Sequence, residues 1–500
     1  MDPKAAAADS IGETTKISSR PSNSLSRDIF IVLIASWVAR VAFICLVPAG
    51  ARSLDSYCWE FQAGYMNSGL NPYQVGHPFN WPPLWMQCVF LMAKIAGFLG
   101  VPFFLVLQFF LILVESAVII QVMRLIRQIA PAANARAIAL IGIALNPAAI
   151  LLICQECNFD VLMLLWVLLA VESLLRYNAS GDFIDWLCAC MFLGLGILTK
   201  TVPLALVPLL AGGFRRATAS GRFLATTLVL GPTALGMSII YVLAPSAVLH
   251  NVLEYRAQGI YFGFPGFLHA MGMDSFSGWF DGAFYILGIG IMALTWRHLW
   301  KHHSLSDRET VLYIALLLLV IPEFGPGCGN EYFYWFLPFL VISYAAFGGL
   351  WRKLLIGYAL INVITLIIEF GLMGTYGFNF LFILTHAPTA DVIYHDWKAS
   401  PAGPIATAVR WATWFSSPVH DTMERIPLFI AMLAIVVFGA GILAPRLQED
   451  RKWVIRLAGI YTICVAVIFA AAIGTKCLWP GNPLAGNSNS NQSAQGAARN

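Results

Sequence analysis

The chain has 500 residues, of which 59% are hydrophobic and only 11% are Asp, Glu, Lys or Arg. Soluble domains carry roughly 25% charged residues, so this composition excludes a water-soluble surface and predicts a polytopic membrane protein surrounded by membrane lipids. The net charge of +4 comes without a basic cluster outside short loops, which argues against nucleic acid as a partner.

The two ends of the chain differ in composition from the rest. Residues 1–27 are polar and low in complexity, and we expect a disordered cytoplasmic tail there. Residues 480–500 are rich in Asn, Ser and Gln, and we expect a second disordered tail. Residues 28–350 are predicted to form a first transmembrane module, and residues 351–479 to add further transmembrane helices.

Apolar runs long enough to cross a bilayer recur along the chain, and the distribution of Lys and Arg predicts about 13 transmembrane helices with the N-terminus inside. The spans are predicted near 29–48, 102–123, 137–154, 160–175, 184–199, 200–214, 223–243, 280–296, 309–323, 332–350, 354–374, 426–445 and 453–474. The outer face then carries three large loops, at 49–101, 244–279 and 375–425. Because inner loops are short, the outer face is where a non-helical site can form.

The first outer loop combines a carboxylate with two helical segments. Asp55 follows the first span, and residues 56–67 have helical spacing that ends at Ser68–Gly69. The run 84–99 is apolar apart from two polar positions, and we place it in the interface because a crossing there would move the next basic residues outside. Asp55 is either a functional acid at the interface or the cap of the helix that follows it.

The turn between the third and fourth spans reads Cys-Gln-Glu-Cys-Asn-Phe-Asp over residues 154–160. Gln155, Asn158 and Asp160 are candidates for binding a polar substrate at this turn. The alternative is that Asp160 only favours the start of the next helix through the helix dipole. The Cys-x-x-Cys spacing comes without a second pair, so we interpret both thiols as small buried residues rather than as metal ligands.

Two outward cations lie near the predicted interface. Lys200 is at a turn between two apolar runs, and Arg256 is in the second outer loop. Both are candidates for binding a lipid phosphate, since phosphate sites need point charges and guanidinium forks. For Lys200 the alternative is a side chain that snorkels to the interface. Glu331 and Tyr332, in a glycine-rich turn, either face a sugar or belong to an aromatic interface belt.

Arg40 and Glu115 lie inside predicted spans. A charged side chain at that depth should face protein rather than lipid. We therefore predict a structural ion pair between the first two spans.

Four sequence features together resemble the GT-C superfamily of polyprenyl-phosphate-sugar-dependent glycosyltransferases. They cover roughly residues 29–340 and read as follows: Asp55 with Asn71-Pro72-Tyr73 and Trp81-Pro82-Pro83-Leu84; Asn146-Pro147 followed by Gln155 to Asp160; Leu198-Thr199-Lys200 followed by two prolines; and Glu331-Tyr332-Phe333-x-Trp335-x-x-Pro338. The last of these, with the first loop, is similar to bacterial polyprenol-phosphate-mannose-dependent mannosyltransferases and to the catalytic subunit of GPI mannosyltransferase I.

The resemblance implies a GT-C fold whose first module, residues 28–350, is catalytic and has juxtamembrane helices in the first outer loop. It implies inverting transfer of a hexose from a polyprenyl phosphate, with Asp55 as general base. Lys200 and Arg256 would hold the leaving phosphate. Asp160, with Gln155 and Asn158, would position acceptor or sugar, and Glu331 and Tyr332 would line the donor pocket. No cofactor and no metal are implied.

The second motif departs from the family, in which a Gly more often precedes Gln or His. Whether Glu156 or Asp160 is the second functional acid therefore stays open, and so does the choice of glycan or lipid acceptor. The competing hypothesis is a polytopic transporter or a flippase of lipid-linked sugars. The absence of an organelle signal favours a bacterial inner membrane.

Overall fold

The computed structural model describes residues 22–46, 54–73, 81–245, 277–302, 305–325, 332–371 and 418–443, and every regular element in these ranges is a helix. The α-helices are α1 (Ser22–Leu46), α2 (Leu54–Asn67), α3 (Pro83–Leu99), α4 (Phe103–Ile129), α5 (Ala135–Ala139), α6 (Pro147–Cys154), α7 (Asp160–Ser180), α8 (Phe183–Thr199), α9 (Ala211–Arg216), α10 (Ala219–Leu243), α11 (Ser277–His302), α12 (Asp307–Phe324), α13 (Phe333–Ala346), α14 (Gly349–Gly371) and α15 (Pro418–Leu443).

Among the described residues, three helices are long and apolar enough to cross a membrane: Leu25–Cys45 in α1, Phe103–Ile129 and Ala219–Leu243. A fourth crossing is possible by length and composition if the bent pair Ala135–Ala144 and Pro147–Cys154 counts as one span. The expected all-helical class is therefore confirmed over the described residues, whereas the count of about 13 spans and the inward N-terminus stay predictions.

Two predicted spans are irregular because prolines interrupt them. The span predicted at 137–154 contains a π-helix (Leu140–Ala144) and then bends by 50° before Pro147, whose ring cannot continue the preceding helix. The span predicted at 200–214 is a 3₁₀-helix (Val202–Leu210) followed by the short α9. Pro203 and Pro208 lack the N–H groups that a continuous α-helix needs there.

Several helices begin before the spans predicted for them. Helix α1 begins at Ser22, inside the expected tail 1–27. Likewise α11 begins at Ser277 inside the loop 244–279, and α15 begins at Pro418 inside the loop 375–425. Apolar composition marks the membrane segment but says little about polar turns that extend a helix beyond it. The tail 480–500 and the span 453–474 lie outside the described residues.

The segment predicted as the first outer loop contains the two helices that the sequence predicts. Helix α2 ends at Asn67, and Gly69 follows with a φ of +75°, a conformation that glycine adopts at little cost. Helix α3 packs against both α2 and α4. The expectation of helices over 56–67 and 84–99 is therefore confirmed, while their depth in a membrane stays a prediction.

The centre of the bundle is the antiparallel hairpin of α7 and α8, with α4 packed on α7 and α10 packed on α8. The crossing of α8 and α10 is very close at Gly194, where an added Cβ would lie 2.1 Å from the carbonyl oxygen of Leu228. Small residues let apolar helices approach in this way when packing rather than the hydrophobic effect holds them together. Because α7 and α8 are antiparallel neighbours, the start of α7 and the end of α8 lie at the same end of the bundle.

The predicted ion pair between Arg40 and Glu115 is confirmed. The Arg40 guanidinium donates to both carboxylate oxygens of Glu115, and both side chains are fully buried. Its Nη1 also donates to the carbonyl oxygen of Ala144, at 2.6 Å, and the hydroxyl of Tyr334 donates to Glu115 Oε1 at 2.9 Å. A buried charge is tolerated when it is paired and hydrogen-bonded in this way. This deep cluster joins α1, α4, α13 and the π-helix.

Candidate functional site

The turn between α6 and α7 is polar and buried throughout. Gln155, Glu156, Asn158 and Asp160 are each at most 4% exposed. Loops usually run over the surface because buried polar groups need partners. A turn of this composition inside a bundle therefore requires a specific set of contacts, and those contacts define the candidate site.

The central contact is an ion pair between the first residue of α7 and the residue that follows α8. Lys200 Nζ donates to Asp160 Oδ1 at 2.8 Å and lies 2.9 Å from Oδ2. The side chain of Asp160 is 1% exposed and that of Lys200 15% exposed, so the ammonium is the accessible partner. The acid lies at a helix N-terminus and the cation at a helix C-terminus, an arrangement that the two helix dipoles favour.

Three aromatic rings surround the Lys200 ammonium. Its Nζ lies 4.6 Å from the ring centroid of Trp335, 5.0 Å from that of Tyr332 and 5.3 Å from that of Phe159. A cation attracts the faces of aromatic rings most strongly where water is scarce. The ammonium is thus held by one carboxylate and three rings, which restricts its position more than either kind of contact alone.

Trp335 connects α13 to this pair. Its indole Nε1 donates to Asp160 Oδ2 at 2.5 Å, and its ring stacks on Tyr332 with centroids 4.1 Å apart. Sequence reasoning treated Trp335 as part of a family motif and did not assign it to the site. The available signal was its position three residues after Tyr332, which places both on one face of a helix.

A second group of aromatic rings joins α2 and α3 to the site. We call Trp59, Trp81, Trp85 and Phe159 the aromatic cluster. Phe159 stacks on Trp85 with centroids 4.8 Å apart and meets the edges of Trp59 and Trp81 at 5.6 and 6.1 Å. Since Phe159 immediately precedes Asp160, the cluster holds α2 and α3 beside the ion pair.

Asp55 lies in the first turn of α2, so the capping alternative would require the helix to begin one or two residues later. Position 55 is four residues before Trp59, and residues at this spacing share one face of a helix. Trp59 is fully buried against Phe159. The backbone of α2 therefore brings position 55 to the same end of the bundle as Asp160, while the side chain of Asp55 lies outside the described residues.

Tyr73 ties the two ends of the segment between α2 and α3. Its hydroxyl donates to the carbonyl oxygen of Trp81 at 3.0 Å. Burial raises the pKa of the Tyr73 hydroxyl well above its usual value, so it stays a neutral donor at any physiological pH. The bond fixes Trp81 at the start of α3, next to the aromatic cluster.

Gln155 and Asn158 differ in how far their hydrogen bonds are satisfied. Asn158 Oδ1 accepts from the backbone N–H of Asp160 at 2.7 Å, so this side chain holds the start of α7. Gln155 is 1% exposed, and within the described ranges neither its amide nitrogen nor its amide oxygen has a hydrogen-bond partner. An unsatisfied buried amide costs roughly 1–3 kcal/mol. Gln155 is therefore the predicted residue with most capacity left for a ligand.

Cys157, at the middle of the turn, has a φ of +52°, the one non-glycine residue with a positive φ in the described part of the chain. Such a conformation costs of order 1–3 kcal/mol and persists where surrounding contacts impose it. Across the described ranges no three His, Cys, Asp or Glu side chains are close enough to hold a metal ion.

The structure therefore brings together four of the residues that the sequence singled out: Asn158, Asp160, Lys200 and Tyr332. Gln155 belongs to the same buried turn. Arg256 and Glu331 lie outside the described residues. Glu156 is buried beside Gln155, but the carboxylate that contacts Lys200 is that of Asp160.

No model of a known protein family matches this chain, and no curated protein sequence matches it either.

Proposed function

We propose that the chain is a multi-pass membrane glycosyltransferase that moves a hexose, mannose by resemblance, from a polyprenyl phosphate to an acceptor hydroxyl at the outer face. The observation that carries the proposal is the buried Asp160–Lys200 pair, held by Trp335 at the end of the bundle where the first-loop helix α2 also packs. A bacterial inner membrane is the proposed location.

In the proposed reaction the acceptor oxygen attacks the anomeric carbon as the bond from that carbon to the phosphate oxygen breaks. The acceptor proton passes to Asp55, and the phosphate leaves with the electron pair of the broken bond. Attack from the face opposite the phosphate inverts the anomeric centre. Lys200 and Arg256 would stabilise the charge on the leaving phosphate.

Lys200 and Arg256 would contribute differently to phosphate binding, because Lys200 is paired with an acid. Asp160 and Lys200 together carry no net charge, so the pair fixes the ammonium without making a strong anion site. Lysine has three N–H donors, and the 15% exposure of the Lys200 side chain is compatible with one of them reaching a phosphate oxygen. Arg256 would then supply the net positive charge, and Asp160 would act by positioning Lys200.

Sugar recognition falls to the polar groups around the pair. The unpartnered amide of Gln155 can both donate to and accept from a hydroxyl. Tyr332, stacked on Trp335, offers an aromatic face, and Glu331 precedes it. Asn158 would support the site through its bond to the start of α7.

The test is transfer of radiolabelled mannose by the purified chain in nanodiscs, with polyprenyl-phosphate mannose as donor and a mixture of membrane lipids and glycans as acceptors. We expect Asp55→Asn and Lys200→Gln to lower product formation at least about 100-fold. Lys94→Gln is the matched control, since Lys94 is an exposed lysine of α3 lying over Phe90. Wild-type rates in Lys200→Gln would contradict the assigned role.

The competing transport hypothesis expects ionisable groups along a path through the membrane. The deep cluster gives it little support, because Arg40 and Glu115 are fully buried and bonded to protein groups. Liposomes separate the two hypotheses: movement of labelled polyprenyl-phosphate mannose between leaflets, with no polyprenyl phosphate released, would favour transport.

A further inference from the structure

One buried carboxyl group has no role in the reaction proposed above. Glu323, in the last turn of α12, is fully buried. Within the described ranges neither of its carboxyl oxygens has a hydrogen-bond partner. By contrast, Asp160 and Glu115, the other fully buried acids in those ranges, each accept hydrogen bonds from two or more side chains.

An unpartnered buried carboxyl group lowers stability, because burial removes its hydration and nothing replaces it. Most proteins avoid such groups, and those that remain need an explanation. Replacing the group with an apolar side chain of similar size would be neutral or stabilising if the carboxyl had only a structural part to play. The hydrogen-bonding capacity of Glu323 is therefore unused by the described protein groups.

The fold places Glu323 at the same end of the bundle as the ion pair. Helix α12 packs on α13, and the end of α12 and the start of α13 are only nine positions apart, from Glu323 to Tyr332. Helix α12 also contacts the 3₁₀-helix that follows Lys200. Gln155, the other buried side chain with unused hydrogen-bonding capacity, follows α6, and both α6 and α12 contact α13.

We propose that Glu323 binds hydroxyl groups of the sugar carried by the donor. Carboxyl oxygens accept hydrogen bonds from hydroxyls strongly, whereas a second negative group repels the phosphate. Glu323 therefore contributes to recognition of the sugar and leaves the phosphate to the cations. This inference rests on the proposed function, and it adds a sugar-binding residue that the sequence motifs did not include.

The experiment compares Glu323→Gln and Glu323→Leu with the wild type in nanodiscs, using two probes. The first is a short-chain polyprenyl-phosphate mannose, and the second is the same polyprenyl phosphate without sugar. Melting temperature is measured without probe and with each probe. Glu115→Gln is the matched control for a buried carboxyl that has partners, and it should lower the melting temperature.

We expect Glu323→Leu to melt about 2–5 °C higher than the wild type without probe, because the unsatisfied group has been removed, whereas Glu323→Gln keeps an unsatisfied amide and should melt close to the wild type. We also expect at least about a 10-fold loss of affinity for the sugar probe, equivalent to one lost hydrogen bond. Affinity for the sugar-free probe should stay within about 2-fold of the wild-type value, since the contacts between the protein and the phosphate group are unaffected.

An equal loss of affinity for both probes, or an unchanged affinity for the sugar probe, would overturn the role of Glu323 while leaving the glycosyltransferase proposal in place. A fall in melting temperature in both variants would also overturn it, because the carboxyl would then have a structural partner. Failure of the wild type to bind either probe would instead reject the proposed function, and the sugar role of Glu323 with it.

Discussion

Tyr334 and Trp335 are consecutive residues of α13 that donate to two different buried acids. The Tyr334 hydroxyl bonds Glu115 in the deep cluster, and the Trp335 indole bonds Asp160 in the candidate site. Consecutive helical side chains diverge by about 100° around the axis, so one turn of α13 reaches α4 and α7 at once. The orientation of this helix therefore fixes the geometry of both polar groups.

Removing the tyrosine hydroxyl should reduce stability. Tyr334→Phe keeps the buried ring but deprives Glu115 of a donor, and we expect the free energy of unfolding to fall by about 1.5–3 kcal/mol. Reversible unfolding in mixed micelles, followed by circular dichroism, measures this change. Tyr344→Phe is the control, because the Tyr344 ring is half-buried under Arg352. Loss of this hydroxyl should change the free energy of unfolding by no more than about 0.5 kcal/mol. Equal effects in the two variants would disprove the bond to Glu115.

Removing the indole donor should affect ligand binding more than stability. Trp335→Phe keeps an aromatic ring near Lys200 but leaves Asp160 Oδ2 with the ammonium alone. We expect affinity for polyprenyl-phosphate mannose to fall roughly 10–100-fold, since the lost bond has a charged acceptor. Isothermal titration in nanodiscs gives the dissociation constant.

The matched control for that experiment is Trp351→Phe. Trp351, in α14, is also buried and its indole also donates, but to Ser343 in the last turn of α13, at the opposite end of that helix from Trp335. Trp351→Phe removes the same side-chain volume as Trp335→Phe, so it should lower stability without altering the dissociation constant for polyprenyl-phosphate mannose. If Trp351→Phe weakens binding as much as Trp335→Phe does, the effect is one of packing.

Breaking the deep ion pair should be costly, and removing it entirely should be less so. Arg40→Met leaves Glu115 buried beside Tyr334 alone, and we expect a loss of about 3–5 kcal/mol in unfolding free energy. The double variant Arg40→Met, Glu115→Leu should recover most of it. Arg127→Gln, which breaks a partly buried pair with Asp28, should cost less than about 1 kcal/mol. A double variant no better than the single one would contradict the pairing.

The α8–α10 crossing should not tolerate a methyl group. Gly194→Ala would place a Cβ against the Leu228 carbonyl oxygen, and we expect a destabilisation of about 1–3 kcal/mol as the helices separate. Gly97→Ala in α3 is the control, because nothing lies within 4 Å of its added Cβ. That change should raise stability by about 0.5–1 kcal/mol through helix propensity. Thermal unfolding of the two variants, measured in parallel, tests this prediction. If Gly194→Ala left the stability unchanged, α8 and α10 would not be in close contact at Gly194.

The sequence allowed prediction of features that depend on local composition or on the cost of burial. The helical class follows from apolar run lengths, and the Arg40–Glu115 pair follows because a charge inside a span needs a partner. Helix α2 was predictable because Ser68–Gly69 ends its pattern. The interruptions before Pro147 and at Pro203 were visible as prolines, but hydropathy averaged over a window does not register them.

The pairing of Asp160 with Lys200 was harder to predict. Both residues were selected separately, each for its position at a helix end, but 40 residues separate them and their contact depends on the α7–α8 hairpin. Trp335 lies 175 residues from Asp160, and its contact depends on the orientation of α13. Glu323 was unremarkable as a residue type, since the absence of partners is a property of the fold and cannot be read from composition.

The separation of Arg40 from Glu115 has a consequence for biosynthesis in the membrane-embedded form that we propose. The acid lies 75 residues after the base, so at about 5–20 residues per second the ribosome leaves the guanidinium uncompensated for roughly 4–15 seconds. An arginine at the centre of a span opposes insertion by about 2.5–3.5 kcal/mol, and Arg40, nearer the end of the candidate span Leu25–Cys45, opposes it by less. We therefore expect α1 to settle at its final depth more readily once α4, which carries Glu115, has been made.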